Sequence, residues 1–305
     1  MEFIIGDMTS LLFTGSNGFL GKNVIVELSK MDYDIVTLSR VNACINCDLS
    51  NEIPSIGSAF DVVIHAAGKA HKVPKTNHEK EQFYKVNLQG TKNLCAALEK
   101  TGIPKSFIFI STVAVYGLDF GENITENYPL KGNTPYALSK IMAEKYLVDW
   151  CKKHDVILSI IRPSLIAGPN PPGNLGAMIR GIKSGKYFSI AGGKSRKSML
   201  MVDDIAYLTP ALAVNGGVFN ICDSQHPTFG DIEKSIAHQL GKSPPFSIPL
   251  KLGTILASVG DLLGINSPFN TKKLHRITKT LTFSNEKALR ELCWEPTSVL
   301  DNFKI

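Results

Sequence analysis

Two hydrophobic periods alternate along the chain. Leu11-Leu12-Phe13 is a short apolar run that stops at Thr14 and opens into glycines at 15, 18 and 21. Phe19 to Lys30 then carries Leu20, Val24, Val26 and Leu28 at mostly helical spacing, which predicts a strand, a tight turn and a helix in that order. Asp34 to Leu38 reads as a second strand, Asp61 to Ala67 as a third that ends in small residues, and Ser106 to Ser111 as a fourth. Between the last two, Glu79 to Thr101 is predicted as one long helix, stopped by Gly102-Ile103-Pro104. A further helix, headed by Thr134-Pro135, runs from Tyr136 to His154.

Beyond Arg162 the pattern changes. Gly168 to Gly173 is a loop, Leu175 to Lys186 a helix with basic residues, Met201 to Val214 a helix returning to the main domain, and Val218 to Ile221 a strand. From about Thr228 the remainder reads as helical. Strands alternating with helices predict an α/β fold, a Rossmann-type doubly wound parallel sheet over 9–167 plus 201–224. A smaller, mostly helical C-terminal substrate lobe is expected over 168–200 plus 225–305, with the active site in the cleft between the two.

The glycine turn is where chemistry enters. Gly15, Gly18 and Gly21 would let bare backbone press against a pyrophosphate seated on the unpaired N–H groups of the helix N-terminus. The alternative for this stretch alone is an ordinary glycine-rich turn. Ser39-Arg40 ends the second strand, where a carboxylate would bind the ribose 2′-hydroxyl of NAD; Arg attracts the 2′-phosphate of NADP, so NADP is preferred over NAD. Against this, Arg40 could stack on adenine or face solvent. Ala66, Ala67 and Gly68 are small enough for a cofactor to pass over the strand end, whereas His65, with apolar flanks, reads as a packed histidine.

Tyr136 and Lys140 are four apart and share a helix face. An ammonium beside a phenol stabilises the phenolate, and the pair would make Tyr136 an acid or base near neutral pH.

At 305 residues with a net charge of +6 and cations scattered among acids, nothing demands nucleic acid, and an anionic small ligand fits equally well. Met1 to Asp7 lacks the basic start and long apolar region of a signal peptide. The least polar later stretch, Ile248 to Gly264, is interrupted by Lys251 and Asp261 and is too short to span a bilayer, so no membrane insertion and a cytoplasmic location are expected. Six cysteines in a chain of this length read as reduced thiols. Cys44 and Cys47 form a CxxC with neither a second CxxC nor a His pair at ligand spacing, and no metal is expected.

Taken together, the chain resembles an extended short-chain dehydrogenase/reductase, of the branch that includes UDP-galactose 4-epimerase, dTDP-glucose 4,6-dehydratase and nucleotide-sugar 4-keto reductases. The resemblance is carried by Thr14 to Gly21, Asp48-Leu49, His65 to Gly68, Asn87 with Gly90-Thr91, Ser111 to Gly117, Tyr136 with Lys140, Arg162-Pro163, Val202-Asp203-Asp204, Phe219-Asn220 and Leu292 to Pro296. It implies Tyr136 as the acid/base on the sugar oxygen, Lys140 as holder of the nicotinamide ribose, and Thr112 as a hydrogen-bonding partner of the same oxygen. The cofactor site it implies comprises Gly15, Ser16, Asn17, Gly18, Phe19, Leu20, Gly21, Ser39, Arg40, Asp48, Leu49, Ala66, Ala67, Gly68, Asn87, Ser111, Tyr136, Lys140, Arg162 and Pro163. Asn174, Arg196 and Lys197 would face the nucleotide-sugar substrate.

Departures from the pattern are informative. Dehydratases follow the strand-end Thr with Asp-Glu; here Val113 and Ala114 stand there, and neither can move a proton. Lys197 stands where relatives place a diphosphate-gripping Arg. The expected activity is hydride movement at sugar C4, as a 4-keto reductase or as a 4-epimerase, with Ser39-Arg40 tilting toward the reductase. The alternative is a non-catalytic NADP(H)-binding redox sensor, and a homodimer through the two long helices is expected.

Overall fold

In the computed structural model, which describes residues 8–70, 72–263 and 269–305, the alternation of Leu11, Leu12 and Phe13 becomes the two-sided core of a parallel sheet. The opening stretch 1–7 and Gly264, the end of the apolar run from Ile248, lie outside the described residues.

The first half of the chain runs β1 (Thr9–Thr14), α1 (Phe19–Leu28), β2 (Tyr33–Ser39), β3 (Ile45–Asn46), β4 (Val62–His65), α2 (Asn77–Tyr84), α3 (Gly90–Thr101), β5 (Ser106–Ile110), β6 (Gly121–Ile124), α4 (Pro135–His154) and β7 (Ile157–Pro163). The second runs β8 (Leu165–Ala167), α5 (Gly173–Lys183), β9 (Ser189–Ile190), β10 (Met199–Met201), α6 (Asp204–Asn215), β11 (Gly217–Ile221), α7 (Phe229–Gln239), β12 (Ser247–Ile248), α8 (Leu250–Leu262), α9 (Thr271–Thr278), β13 (Leu281–Phe283), α10 (Glu286–Leu292) and α11 (Val299–Asn302).

Seven strands form one sheet in the order β3-β2-β1-β4-β5-β7-β11, every pair parallel. Leu11 and Phe13 point to the face covered by α1, α6 and α10, through Val24, Leu28, Leu208, Leu212 and Leu292. Leu12 points to the opposite face with Phe107 and Phe109, against Leu94 and Leu98 of α3 and Leu147 and Trp150 of α4. A strand covered on both faces needs apolar side chains at successive positions, which is why β1, β4 and β5 read as continuous apolar runs. Strand order reverses beside β1 and β4, so their carboxyl ends border the crevice where ligands of such sheets bind.

Several expectations are modified. The helical run from Asn77 to Thr101 is interrupted by a π turn at Lys85–Gln89. The wider turn accommodates Asn87, whose buried amide is held from three sides: Lys69 N donates to its Oδ1 at 2.7 Å, while its Nδ2 donates to Lys69 O at 3.1 Å and to Ser139 Oγ at 2.8 Å. The segment after Thr228 is not wholly helical: β12 pairs with β9 and β13 with β6 as short parallel ribbons, and β8 pairs with β10 likewise. α10 and Trp294, sequence neighbours of the substrate lobe, pack into the sheet's own core with Leu11 and Phe219. Hydrogen bonds secure this return. Thr297 donates through N and Oγ1 to Asp204 at 3.1 and 2.6 Å, and Val299 N donates to Asp223 Oδ2 at 3.1 Å. Burial pushes the Asp204 carboxyl up to about 6 against the opposing pull of the Thr297 bonds.

Candidate active site

The glycine turn at the end of β1 is built for close approach. Gly15 has φ +78°, and a Cβ there would lie 2.6 Å from Ala67 N; at Gly21 it would lie 2.4 Å from Ser16 O. Gly18 caps α1 with no side chain bonded to the helix N-terminus, and the only neighbour of a Cβ there is Gly15 O at 3.2 Å. The turn therefore presents a helix N-terminus and open space beside it, the arrangement that accepts an anion. Ser16 Oγ is buried and has no hydrogen-bond partner among the described residues. Asn17, by contrast, is turned outward onto the carbonyls of Val41 and Asn42.

His65 fixes this turn from below. Its Nδ1 lies 2.7 Å from Thr14 Oγ1 and its Nε2 lies 2.9 Å from Thr91 Oγ1. Thr91 spends its own proton on Asn87 O at 2.7 Å, so it accepts from Nε2–H, and Nδ1 accepts from the Thr14 hydroxyl. Thr14 Oγ1 in turn accepts from Ala67 N at 3.2 Å. Complete burial and the charge of Lys140 push the imidazole down to about 3, so it stays neutral. It is the packed strand-end histidine that the sequence suggests.

At the end of β2, Ser39 is half-buried and Arg40 exposed. Burial raises the Asp48 carboxyl, but bonds from Ser50 and Asn51 and the charge of Arg40 outweigh it and hold the group below its ordinary value. Asp48 accepts from Ser50 Oγ at 2.7 Å and Asn51 Nδ2 at 2.9 Å, so its side chain is spent on its own turn. Leu49 is buried, its carbonyl held by Asn93 Nδ2 at 2.8 Å. Cys44 is exposed and Cys47 buried, both as free thiols. Among the described residues no three His, Cys, Asp or Glu converge as a metal cluster would.

Tyr136 and Lys140 enter on α4, whose start is set by the Thr134 cap, accepting from Ala137 N at 3.1 Å, and by Pro135 in the first turn. Thr112 stands just past the carboxyl end of β5, and the Tyr136 ring lies 6.2 Å from that of Phe83. Burial raises the phenol above its ordinary value and the Thr112 hydroxyl pulls it back only in part. Lys140 is 4 % exposed; its Nζ donates to Ile110 O at 2.8 Å and lies 4.5 Å from the centre of the Phe109 ring. A Cβ on Gly68 would meet Asn87 Oδ1 at 3.2 Å and Lys140 Nζ at 3.3 Å. The expected pairing is thus corrected in one respect: the two side chains share a helix face, but the ammonium reaches under the strand ends and desolvation governs the phenol. Burial also lowers Lys140 to about 8, with Glu144 opposing.

Behind this face lies a buried polar chain with no local sequence signal. Arg162 grips Glu144 through Nη2–Oε2 at 2.6 Å and Nε–Oε1 at 3.2 Å. Ser111 Oγ donates to the same carboxylate. Arg162 Nη1 reaches Tyr116 Oη at 3.1 Å, which donates to Asn220 Oδ1 at 2.6 Å, and Glu126 accepts from Asn220 N at 2.8 Å. Ser111 and Arg162 therefore face inward and tie α4 to β5, β7 and β11, and neither side chain is brought to the crevice; Pro163 ends β7 beside them. Glu144 is the residue sequence reasoning missed, and Tyr116 and Asn220 entered it only as parts of the resemblance, with no role. Glu144, one turn beyond Lys140 in an otherwise mixed helix, was the available hint.

The expected substrate contacts are dispersed. Asn174 is exposed in the first turn of α5. Arg196 folds back onto the carbonyls of Gln225 and His226 at 3.4 and 3.1 Å, and Lys197 Nζ onto Lys279 O at 2.7 Å. Burial lowers Lys197 to about 8.

A family model described as NAD dependent epimerase/dehydratase matches residues 11–222. The chain is 31 % identical over 274 residues to N-acetyl-α-D-glucosaminyl-diphospho-ditrans,octacis-undecaprenol 4-epimerase of Escherichia coli O157:H7, covering 83 % of this chain and 80 % of that protein. It is 29 % identical over 323 residues to the UDP-glucose 4-epimerase of Vibrio cholerae, covering 97 % and 93 %. In fold it matches the structure of RMD from Pseudomonas aeruginosa complexed with NADPH, with a TM-score of 0.71 at 22 % identity over 97 % of this chain and 96 % of that one.

Proposed function

Since the chain belongs to the NAD-dependent epimerase/dehydratase family, we propose that it inverts or reduces C4 of a sugar carried on a diphosphate, with Tyr136 as the acid and base. The observation that carries this reading is Lys140: one helical turn from Tyr136, its Nζ is held by Ile110 O at 2.8 Å against Gly68, while the glycine turn packs Gly15 onto the neighbouring Ala67. The turn fits a nicotinamide dinucleotide: Gly15 and Gly21 let it fold tightly onto Ala67 and Ser16, Gly18 leaves open space at the helix N-terminus where a pyrophosphate would sit, and Ser16 Oγ is left without a partner among the described residues.

When bound, that cofactor supplies the acceptor and donor of hydride at C4. Thr112 Oγ1 and Tyr136 Oη hold the C4 oxygen between them. As the hydroxyl is oxidised its proton passes to Tyr136, and on return Tyr136 gives the proton back to the oxygen of the reduced carbon. Lys140, held by Ile110 O and close to Gly68, would bind the nicotinamide ribose and supply positive charge there. Asn87 and the neutral His65 keep loop 66–69 in position. Val113 and Ala114 supply no second acid or base, so the sugar is not dehydrated.

Epimerisation is favoured because the two relatives most fully described above are both 4-epimerases. Arg40 supports the 4-keto reductase reading, since its exposed guanidinium suits a 2′-phosphate and hence NADPH. The two are separated by incubating the purified protein with a panel of UDP- and polyprenyl-diphosphate-linked N-acetylhexosamines. C4 epimers formed with no added NADPH indicate the epimerase, stoichiometric NADPH oxidation with a 4-keto sugar indicates the reductase, and neither product rejects the proposal. In the same assay Arg40→Ala should weaken NADPH roughly tenfold or more and leave NADH unchanged.

Lys140 sets a pH limit. The charged form is the one that donates to Ile110 O and to a ribose, so kcat/KM should fall as pH rises through about 8. Its stability contribution runs the other way: the folded value lies below the unfolded 10.5, so between about 8 and 10.5 the unfolded chain binds more protons and this group favours the fold increasingly as pH rises. A pH–rate profile alongside a pH series of melting curves checks both signs.

A further inference from the structure

Helix α8 has its amphipathy turned outward. The residues it buries are small, Gly253, Ala257 and Gly260, in one line along the helix. A Cβ on Gly253 would sit 3.2 Å from Ile190 Cγ2 and 3.6 Å from Leu274 Cδ1, so this seam lies tight against β9 and α9. The large aliphatic side chains point the other way. Leu252, Ile255 and Val259 are 45, 61 and 49 % exposed, and Leu262 is 88 % exposed. Phe246, four residues before the helix, is 78 % exposed as well. Scattered apolar residues on a surface need no explanation, but a continuous strip of this kind marks a surface that meets something else.

Charge decides what that is. Lys251 stands at the strip, and α9, which packs against α8, exposes Lys272 and Arg276, with Lys279 exposed just past its end. From Phe269 to Asn285 the sequence holds no acidic residue. Asp261 is turned onto Thr271, whose N and Oγ1 donate to it, and Asp119 is paired with Arg276 at 3.3 Å. An apolar helix bordered by cations fits an anionic lipid surface, whereas a second copy of the chain docked symmetrically on this strip would bring two cationic rims together. No described helix is long and apolar enough to cross a membrane, and α8, at 13 residues, would lie in the plane of the interface.

We propose that α8 and α9 form a docking surface for an anionic lipid bilayer, with the α8 leucines entering the acyl boundary and Lys251, Lys272 and Lys279 meeting headgroup phosphates. This docking is independent of which reaction the crevice performs.

The test is co-sedimentation of the full chain with phosphatidylglycerol/phosphatidylcholine vesicles and with phosphatidylcholine vesicles alone. The protein should bind the mixed vesicles, bind the neutral ones at least tenfold more weakly, and be released by salt. Ile255→Glu/Val259→Glu and, separately, Lys251→Glu/Lys272→Glu should each reduce binding at least tenfold while leaving the melting curve and NADPH binding as in the unsubstituted chain. Failure of the unsubstituted chain to bind mixed vesicles would overturn the proposal, as would binding that survives both double substitutions. A vesicle-free dimer split by Ile255→Glu/Val259→Glu would overturn it too, by making a second copy the occupant.

Discussion

Tyr136→Phe is expected to lower kcat by about 10²–10⁴-fold, the usual contribution of a positioned acid or base, with KM changed only a few-fold. The ring keeps its place against Phe83, 6.2 Å away, so the loss is that of one hydroxyl and the proton it carries. Cofactor binding, followed by NADPH fluorescence, should be unchanged because the glycine turn and Arg40 do not touch the phenol. Thr112→Val should act on the same step and less severely, since it removes a bond to the substrate oxygen but leaves the proton carrier. A Tyr136→Phe protein that turns over normally would remove Tyr136 from the mechanism. Normal biological output from a chain with no turnover at all would instead point to a cofactor-reporting protein.

The largest effect on stability is expected from Arg162→Met. Arg162 is 5 % exposed and Glu144 3 %, so the substitution leaves a carboxylate buried without its counter-ion, which costs about 3–5 kcal/mol. In a protein of this size that is a fall in Tm on the order of 10 °C. Arg162→Met combined with Glu144→Leu should recover much of the loss, because the burden is the unpaired charge and not the missing contact. Differential scanning calorimetry of the two singles and the double checks this; a double substitution no better than the singles would show that packing dominates. Because the pair holds α4 to three strands, Arg162→Met should also lower kcat at temperatures well below its melting transition.

The parts of the site legible in the sequence are those whose signal is local. The glycine spacing, the Thr134-Pro135 helix start and the four-residue step from Tyr136 to Lys140 each follow from neighbouring residues, and each stands in the structure where the spacing puts it. The direction of the Lys140 side chain was not legible, because it depends on a carbonyl of β5, thirty residues earlier. The Glu144–Arg162–Tyr116–Asn220 chain was invisible for the same reason: its members come from four elements that meet only in the folded sheet. Arg196 and Lys197 stand differently: charge points them to a ligand, while in the structure nearby backbone carbonyls take their donors. In α8 the signal was present but masked, since Gly253, Ala257 and Gly260 carry little weight in a hydrophobic pattern dominated by the leucines around them.

The packing of α10 and Trp294 beneath the sheet, with Asp204 and Asp223 waiting for Thr297 and Val299, sets an order of events during synthesis. The nucleotide-binding half leaves the ribosome first, yet the part of one face that α10 covers stays open, and Asp204 lacks its Thr297 partner, until more than sixty further residues have emerged. The nascent chain must therefore carry an incomplete apolar face through that interval, which makes it a client for whatever shields growing polypeptides from one another.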